Sequence, residues 1–166
     1  AVFFDVANTL LHKPNLYSAI HRVLSSHAIF VPLRKIVLNH KLLSEAISFP
    51  DKTSKSFYQE FNRRLVNSFG VLASDDLVDE IFDSCTYLPW HPFEDVDALN
   101  RLSAKIGILS NWDNTLQDKL TLMPAIKFDW VFGSEEQQMS KPNPLFFKKA
   151  ATAAELAPDE IMYVGD

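Results

Sequence analysis

Polar side chains that could do chemistry stand where apolar runs of the chain end. Asp5, Ser110 with Asn111, and Asp166 each close or directly follow such a run. Short unbroken apolar runs are typical of buried parallel strands, and ligands bind at the carboxyl ends of those strands. Lys141 adds an ammonium group just before the helix predicted ahead of the last run. We therefore expect a shared crevice that contains carboxylates, a hydroxyl and an ammonium.

This combination of groups suits phosphoryl transfer. A carboxylate can act as nucleophile and form an acyl phosphate, while hydroxyl and ammonium donors stabilise the equatorial oxygens. Paired carboxylates hold a hard cation such as Mg²⁺, which offsets the repulsion between an anionic nucleophile and an anionic substrate. Taken singly, each residue has a simpler explanation as a turn aspartate, a helix cap or a solvated lysine. Their occurrence together favours a functional site over these separate explanations.

Residues 14–88 predict a helical insert. Apolar residues recur there at helical spacing in four segments, with Asn15 and Ser74 as N-caps of the first and fourth. We expect Pro50 to break the second helix and Gly70 to end the third. No stretch of the insert predicts a strand.

The rest of the chain predicts an α/β fold, because apolar strand-like runs alternate with helical patterns. Such alternation implies a parallel sheet with right-handed crossovers. The predicted strands are residues 2–4, 106–109, 130–132 and 161–164, and the predicted helices are 95–103, 114–122 and 142–154.

Composition narrows the function classes. The chain has 166 residues, of which 47% are hydrophobic, and a net charge of −5 without long basic runs. We therefore expect no nucleic-acid partner. No apolar stretch has the length of a membrane span, and residues 1–10 contain Asp5 and no basic lead, so we expect neither membrane insertion nor a signal peptide. Cys85 is the single cysteine, which excludes an internal disulfide and predicts a cytoplasmic protein. The oligomeric state stays open.

Four motifs in order resemble those of the haloacid dehalogenase superfamily, over essentially all of residues 1–166. Residues 3–10 match the first motif, Asp-x-Asp-x-Thr, except at its third place, and residues 108–111 resemble the second. Residues 140–146 are similar to the third motif, Lys-Pro-Asp-Pro-x-x-Phe, and residues 164–166 to the start of the fourth. The resemblance implies a Rossmann-like parallel sheet, formed by residues 1–13 and 89–166, with residues 14–88 as a C1-type helical cap that closes over Asp5.

The resemblance also implies roles for the residues that match the motifs. Asp5 is then the nucleophile, and Lys141 steadies both this nucleophile and the phosphate. Ser110 binds the transferring group together with Asn111 and Thr9.

Magnesium ligation follows from the same resemblance. Asp5, the backbone carbonyl of Ala7 and Asp166 are then the ligands of a Mg²⁺ cofactor. Because the family's fourth motif continues to another acidic group, a strand and a helix, we expect the chain to continue beyond Asp166.

Ala7 departs from the first motif, because the family's phosphatases have an Asp at this place. That Asp protonates the leaving oxygen and later activates water, and such help is worth roughly 10²–10⁴-fold in rate. We therefore predict a Mg²⁺-dependent hydrolase that acts on a small phosphate ester through an aspartyl-phosphate intermediate, with impaired or altered chemistry.

Other functions stay open. Phosphonatases of the superfamily have Ala at this place and use a cap lysine as a Schiff base, a role in which Lys41, Lys52 or Lys55 can be tested. A non-catalytic regulatory protein that binds phosphate and metal is a further alternative. Dehalogenases also lack the second Asp, but Gly165 and Asp166 resemble the metal-binding form of the fourth motif.

Overall fold

The computed structural model describes residues 1–47 and 54–165, so Pro50, Lys52 and Asp166 lie outside the described residues. The chain divides into two compact units. The first consists of Ala1–His12 and Trp90–Asp166, and the second of Lys13–Pro89.

The first unit is built on a four-stranded parallel sheet. The strands of this unit are β1 (Val2–Phe4), β2 (Leu11–His12), β3 (His91–Pro92), β4 (Ile106–Ser110), β5 (Trp130–Gly133) and β6 (Met162–Val164). Those of the sheet lie in the order β5-β4-β1-β6, so β1 lies between β4, which ends at Ser110, and β6, which Gly165 follows. This arrangement confirms the predicted parallel sheet. A short antiparallel ribbon, β2 with β3, is a feature that the apolar pattern did not predict.

Seven α-helices are described, three of them in the first unit. They are α1 (Leu16–Ser26), α2 (Leu33–Ala46), α3 (Lys55–Asn67), α4 (Asp75–Thr86), α5 (Leu116–Leu120), α6 (Ser134–Gln137) and α7 (Pro144–Ala154). The sequence did not predict the short α6. The prediction of one regular helix over residues 95–103 was wrong, because a 3₁₀ helix spans Val96–Arg101. A second 3₁₀ helix spans Pro158–Glu160.

Successive β1 residues pack on opposite faces of the sheet, as the strand period of two requires. Phe3 joins a core cluster with Phe146 of α7, and Phe4 joins one with Leu116 of α5. Helices therefore lie on both faces, and the loops that lead from the strands to these helices begin at the carboxyl ends of the strands. Polar residues of these loops meet at that edge of the sheet for this reason.

The second unit contains four helices with a core of their own, and its described residues contain no strand. Ser74 caps α4 by accepting a hydrogen bond from the Leu77 amide, as predicted. Asn15 occupies the N-cap position of α1 but makes no side-chain cap bond. The α3 helix ends at Asn67, and Gly70 follows with φ of 84°.

No helix of the described ranges is both long enough and apolar enough to span a membrane.

Candidate active site

Asp5 is the centre of a hydrogen-bonded cluster at the carboxyl end of β1. Its Oδ1 atom accepts hydrogen bonds from the Val6 amide at 2.8 Å and from the Ser110 hydroxyl at 2.6 Å. Its Oδ2 atom forms an ion pair with Lys141 Nζ at 2.7 Å. The Asp5 and Lys141 side chains are 14% and 15% exposed, so their neighbours hold them in place while both remain accessible to solvent.

The two neighbouring loops are joined through Asn111. Ser110 is fully buried at the end of β4, and Asn111 follows it. The Asn111 side chain accepts a hydrogen bond from the Lys141 amide at 2.7 Å and donates one to the Lys141 carbonyl at 3.0 Å. This paired contact locks the backbone that carries Lys141. Asn111 therefore holds the site together through its side chain, in addition to the phosphate-binding role expected from sequence.

Lys141 lies between two oxygen acceptors. Besides its ion pair with Asp5, its Nζ atom donates a hydrogen bond to Tyr163 Oη at 2.7 Å. A lysine ammonium has three donors, so these contacts leave a third N–H for a further acceptor. Tyr163 was not among the predicted site residues. It lies within the apolar run of β6, and only the spatial proximity of β6 to Lys141 brings it to the site.

The turn after β1 contains the two remaining first-motif residues. The backbone reverses through Asn8, whose φ of 58° lies in the left-handed region, and the Leu11 amide returns to the Val6 carbonyl. The Ala7 carbonyl accepts no hydrogen bond within the described residues. Thr9 Oγ1 is the one buried side-chain N or O atom in these ranges without a hydrogen-bond partner. Buried polar atoms nearly always have partners, so Thr9 retains an unused hydrogen-bonding capacity next to the site.

The donor set partly fits a magnesium ion. Asp5 supplies a carboxylate and Ala7 an unengaged carbonyl, and such oxygen donors are the ligands that Mg²⁺ prefers. Within residues 1–47 and 54–165, no three acidic, His or Cys side chains cluster as a metal site would require. Asp166, the remaining predicted ligand, lies outside the described residues.

Residues at the junction between the units have local partners. The His12 ring stacks on the Phe93 ring at 4.3 Å between centroids. Lys13 Nζ donates hydrogen bonds to the carbonyls of Cys85 and Thr86, each at 2.8 Å. Burial raises the pKa of the Cys85 thiol to about 11, while the Lys13 charge acts in the opposite direction. The thiol is therefore protonated at neutral pH, the form that is a poor nucleophile.

A match over the whole of the sequence described above shows which protein family the chain belongs to. Residues 1–166 match the family of haloacid dehalogenase-like hydrolases. The chain belongs to this family. Its members are hydrolases, and the parallel sheet described above is their fold. No curated protein matches the chain significantly.

Solved structures of the family share this fold. A defluorinating L-2-haloacid dehalogenase has 20% identity and a TM-score of 0.63, with 99% of this chain and 72% of that one covered. A predicted phosphoglycolate phosphatase from Haemophilus somnus has 16% identity and a TM-score of 0.62, covering 99% and 76%. The putative hydrolase YfnB from Bacillus subtilis, in a magnesium-bound form, has 18% identity and a TM-score of 0.66, covering 99% and 78%. At these identities the similarity shows the fold alone.

Proposed function

We propose that this chain is a hydrolase of small phosphate monoesters with good leaving groups, and that Asp5 is its nucleophile. The observation that supports this proposal most is the Asp5 carboxylate, which is held by Ser110, the Val6 amide and Lys141 at the carboxyl end of the central strand. A carboxylate in this position is oriented, partly exposed and paired with a cation that can also contact an anionic substrate.

The hydrogen bonds indicate which oxygen attacks. A carboxylate oxygen has two lone pairs in the carboxylate plane, and both of those on Oδ1 are engaged, by the Val6 amide and the Ser110 hydroxyl. Oδ2 accepts from Lys141 alone within the described residues, so it retains a lone pair for attack. The Oδ2–P bond then forms while the bond between phosphorus and the ester oxygen breaks, with the electron pair going to the leaving oxygen. Water next attacks phosphorus, releases phosphate and regenerates the Asp5 carboxylate.

Lys141 and Ser110 have distinct parts in this reaction. The free N–H of Lys141 is available to an equatorial oxygen of the transferring group, where charge stabilisation lowers the barrier. The Ser110 hydroxyl donates to Asp5 in the described state, so it orients the nucleophile before substrate binds. Its contact with the phosphate, predicted from sequence, would require the hydroxyl to rotate away from Oδ1.

The side chain at position 7 determines which leaving groups a phosphate ester must have to be hydrolysed at this site. A methyl group cannot protonate a leaving oxygen, and the lost general acid is worth roughly 10²–10⁴-fold for esters that need protonation. Aryl and acyl phosphates release a stable anion and need little protonation. We therefore assign the chain to substrates of this kind.

Magnesium would be held by Asp5, the Ala7 carbonyl and Asp166. When bound, the ion would supply positive charge that offsets the repulsion between the Asp5 carboxylate and the phosphate. Binding of the ion would require Asp5 to give up one of its present contacts, because both lone pairs of Oδ1 and one of Oδ2 are engaged and the other is assigned to the attack.

Hydrolytic dehalogenation is a second candidate, favoured by one observation. A halide leaves without a proton, so a site with Ala at position 7 and a nucleophile paired with Lys141 suffices for displacement at carbon. In that reaction Asp5 Oδ2 forms a bond to carbon as the carbon–halogen bond breaks. Magnesium dependence distinguishes the two candidates, because metal charge assists attack on a phosphate dianion and is not needed against a halogenated carbon.

Schiff-base chemistry lacks comparable support. Lys41 is exposed, and Lys55 Nζ lies 5.4 Å above the Phe82 ring centroid within the helical unit. Lys52 lies outside the described residues. A cap lysine in catalysis stays a prediction.

The proposal is tested by turnover assays on the full-length protein. An aryl phosphate, an alkyl phosphate and a 2-haloacid are supplied with Mg²⁺ or with EDTA. We expect Mg²⁺-dependent hydrolysis of the aryl phosphate, slower hydrolysis of the alkyl phosphate, and loss of both in Asp5→Asn. Asp97→Asn, at an exposed carboxylate of the 3₁₀ helix, is the matched control and should keep the parent rate. Halide release that is insensitive to EDTA would favour the second candidate. An active Asp5→Asn variant would contradict both.

A further inference from the structure

Tyr163 is in direct contact with the lysine of the site. Its phenol oxygen accepts a hydrogen bond from Lys141 Nζ at 2.7 Å, and the ammonium lies 5.3 Å from the ring centroid. The same ammonium is 2.7 Å from Asp5 Oδ2. Nζ is thus held between an oxygen of Asp5, which directly follows β1, and an oxygen of Tyr163 in β6.

The Tyr163 ring is itself held in place from two directions. Phe147 of α7 packs against it edge-on, with 5.5 Å between centroids and an interplanar angle of 85°. The ring also lies close to the backbone of Gly165. A Cβ atom at Gly165 would lie 3.0 Å from Cε1 and from the phenol oxygen of Tyr163. This separation is tighter than ordinary van der Waals contact, so the absence of a side chain at position 165 makes room for the ring.

We infer that Tyr163 is a positioning residue for Lys141, and that Gly165 provides the space this contact needs. The inference rests on the proposed function of Asp5 and Lys141 and adds a residue to it. A lysine ammonium sits on a flexible four-carbon stem with three rotatable donors. Because Asp5 and Tyr163 fix two of these donors, the third N–H points in a defined direction. It can donate a hydrogen bond to a substrate oxygen that lies in that direction.

The first test measures how firmly the Lys141 ammonium is held, without any turnover. In full-length protein with ¹⁵N-labelled lysine, NMR reports the exchange of Nζ protons with water, which hydrogen bonds slow. Tyr163→Phe removes only the phenol oxygen, and we expect Lys141 exchange to accelerate about tenfold, since one hydrogen bond of the charged ammonium is lost. Tyr87→Phe, at an exposed tyrosine of the helical unit, is the control and should leave the rate unchanged. Unchanged exchange in Tyr163→Phe would overturn the inference.

The second test separates positioning from substrate binding. With an aryl phosphate and Mg²⁺, Tyr163→Phe should lower kcat about tenfold and leave KM within about twofold, because the ground-state charge of Lys141 is retained while its alignment in the transition state is lost. An unchanged kcat in a folded variant would overturn the inference. If the parent protein hydrolyses no phosphate ester, the proposed function fails, and the proton-exchange measurement still decides whether Tyr163 positions Lys141.

The part assigned to Gly165 is tested by a double-mutant cycle. Gly165→Ala should displace the ring and accelerate Lys141 proton exchange as Tyr163→Phe does. Combining the two should accelerate exchange no further, because residues that act through one contact are not additive. Normal exchange in Gly165→Ala, or fully multiplicative effects in the double variant, would overturn the role given to Gly165.

Discussion

At the scale of single residues, the methyl group of Ala7 has the largest chemical consequence. The neighbouring groups that bind and orient, Asp5, Ser110 and Lys141, form a connected cluster with distances of 2.6–2.7 Å. In the proposed reaction, this cluster lacks a group for general acid–base help. Position 7 lies two residues after Asp5, the proposed nucleophile, in the turn that returns to β2.

Restoring a carboxylic acid at position 7 should raise the hydrolysis of alkyl phosphates. We expect kcat/KM of Ala7→Asp to increase roughly 10²-fold for an alkyl phosphate and much less for an aryl phosphate, because only the alkoxide needs a proton. The measurement compares both substrates in the parent and the variant, and Ala7→Asn serves as the uncharged control. A folded Ala7→Asp variant without gain on alkyl phosphates would contradict the proposed phosphatase-type site and favour displacement chemistry that needs no acid.

Much of the cluster could be predicted from residue types, and part of it could not. Asp5, Ser110 and Lys141 were identified because each follows or flanks a recognisable run, and parallel strands bring their carboxyl ends together. The contact of Asn111 with the Lys141 backbone depends on how two loops meet, which sequence spacing does not encode. Tyr163 has the pattern of a strand residue, so nothing in the sequence separates it from its apolar neighbours.

At the scale of elements, β4 is closely fitted to β1 through one glycine. A Cβ atom at Gly107 would lie 2.4 Å from Cε1 of Phe3. The Phe3 ring uses this space to stack on Trp130 at 5.6 Å, so the packing of three adjacent strands depends on it. Real Cβ atoms do not approach so closely, and either the ring or the strand would have to shift.

Gly107→Ala should therefore destabilise the protein by about 1–3 kcal/mol, the usual cost of forcing extra volume into a packed core. Gly70→Ala is the matched comparison, since no atom lies within 4 Å of its Cβ position and only the φ of 84° opposes the substitution. Urea unfolding measures both. Phe3→Leu in the Gly107→Ala background should recover part of the loss by making room, and a fully additive double variant would contradict the steric explanation.

The elements differ in how well sequence predicts them. Apolar runs of three or four residues predicted all four sheet strands, because such runs are typical of strands in parallel sheets. The ribbon of β2 and β3 has two residues in each strand, and its partners are far apart along the chain. The pairing of these two strands therefore produces no periodic pattern of apolar residues in the sequence. The 3₁₀ helix at Val96–Arg101 has apolar spacing that an α-helix would share, so the period alone did not distinguish them.

At the scale of the whole molecule, the chain has two compact units with separate hydrophobic cores. The helical unit has a partly buried ionisable group beside its core. His40 of α2 packs edge-on against the rings of Tyr17 and Phe61, at centroid distances of 5.2 and 4.8 Å. Burial lowers the pKa of His40 from 6.5 to about 4, because the aromatic surroundings replace the water that would solvate its charge.

This lowered pKa makes the stability of the protein depend on pH in a defined window. Between pH 6.5 and about 4 the unfolded chain binds a proton at His40 that the folded chain does not bind. The unfolded state is therefore favoured progressively as the pH falls through this range, and the effect is complete below about pH 4. The difference between a pKa of 6.5 and one of about 4 corresponds to roughly 3–4 kcal/mol at most, at about 1.4 kcal/mol for each pH unit.

Replacing His40 by Phe should remove this contribution while keeping an aromatic ring between Tyr17 and Phe61. Urea unfolding of the full-length protein at pH 7, 5.5 and 4.5 measures it as the difference between parent and variant, which cancels groups that titrate in both. We expect the free energy of unfolding of the parent to fall more steeply with decreasing pH than that of His40→Phe. His91→Gln, at an exposed histidine of β3, should follow the parent profile. Parallel profiles for the parent and His40→Phe would mean that His40 is solvated enough to accept its proton in the folded state, and the burial argument for this histidine would fail.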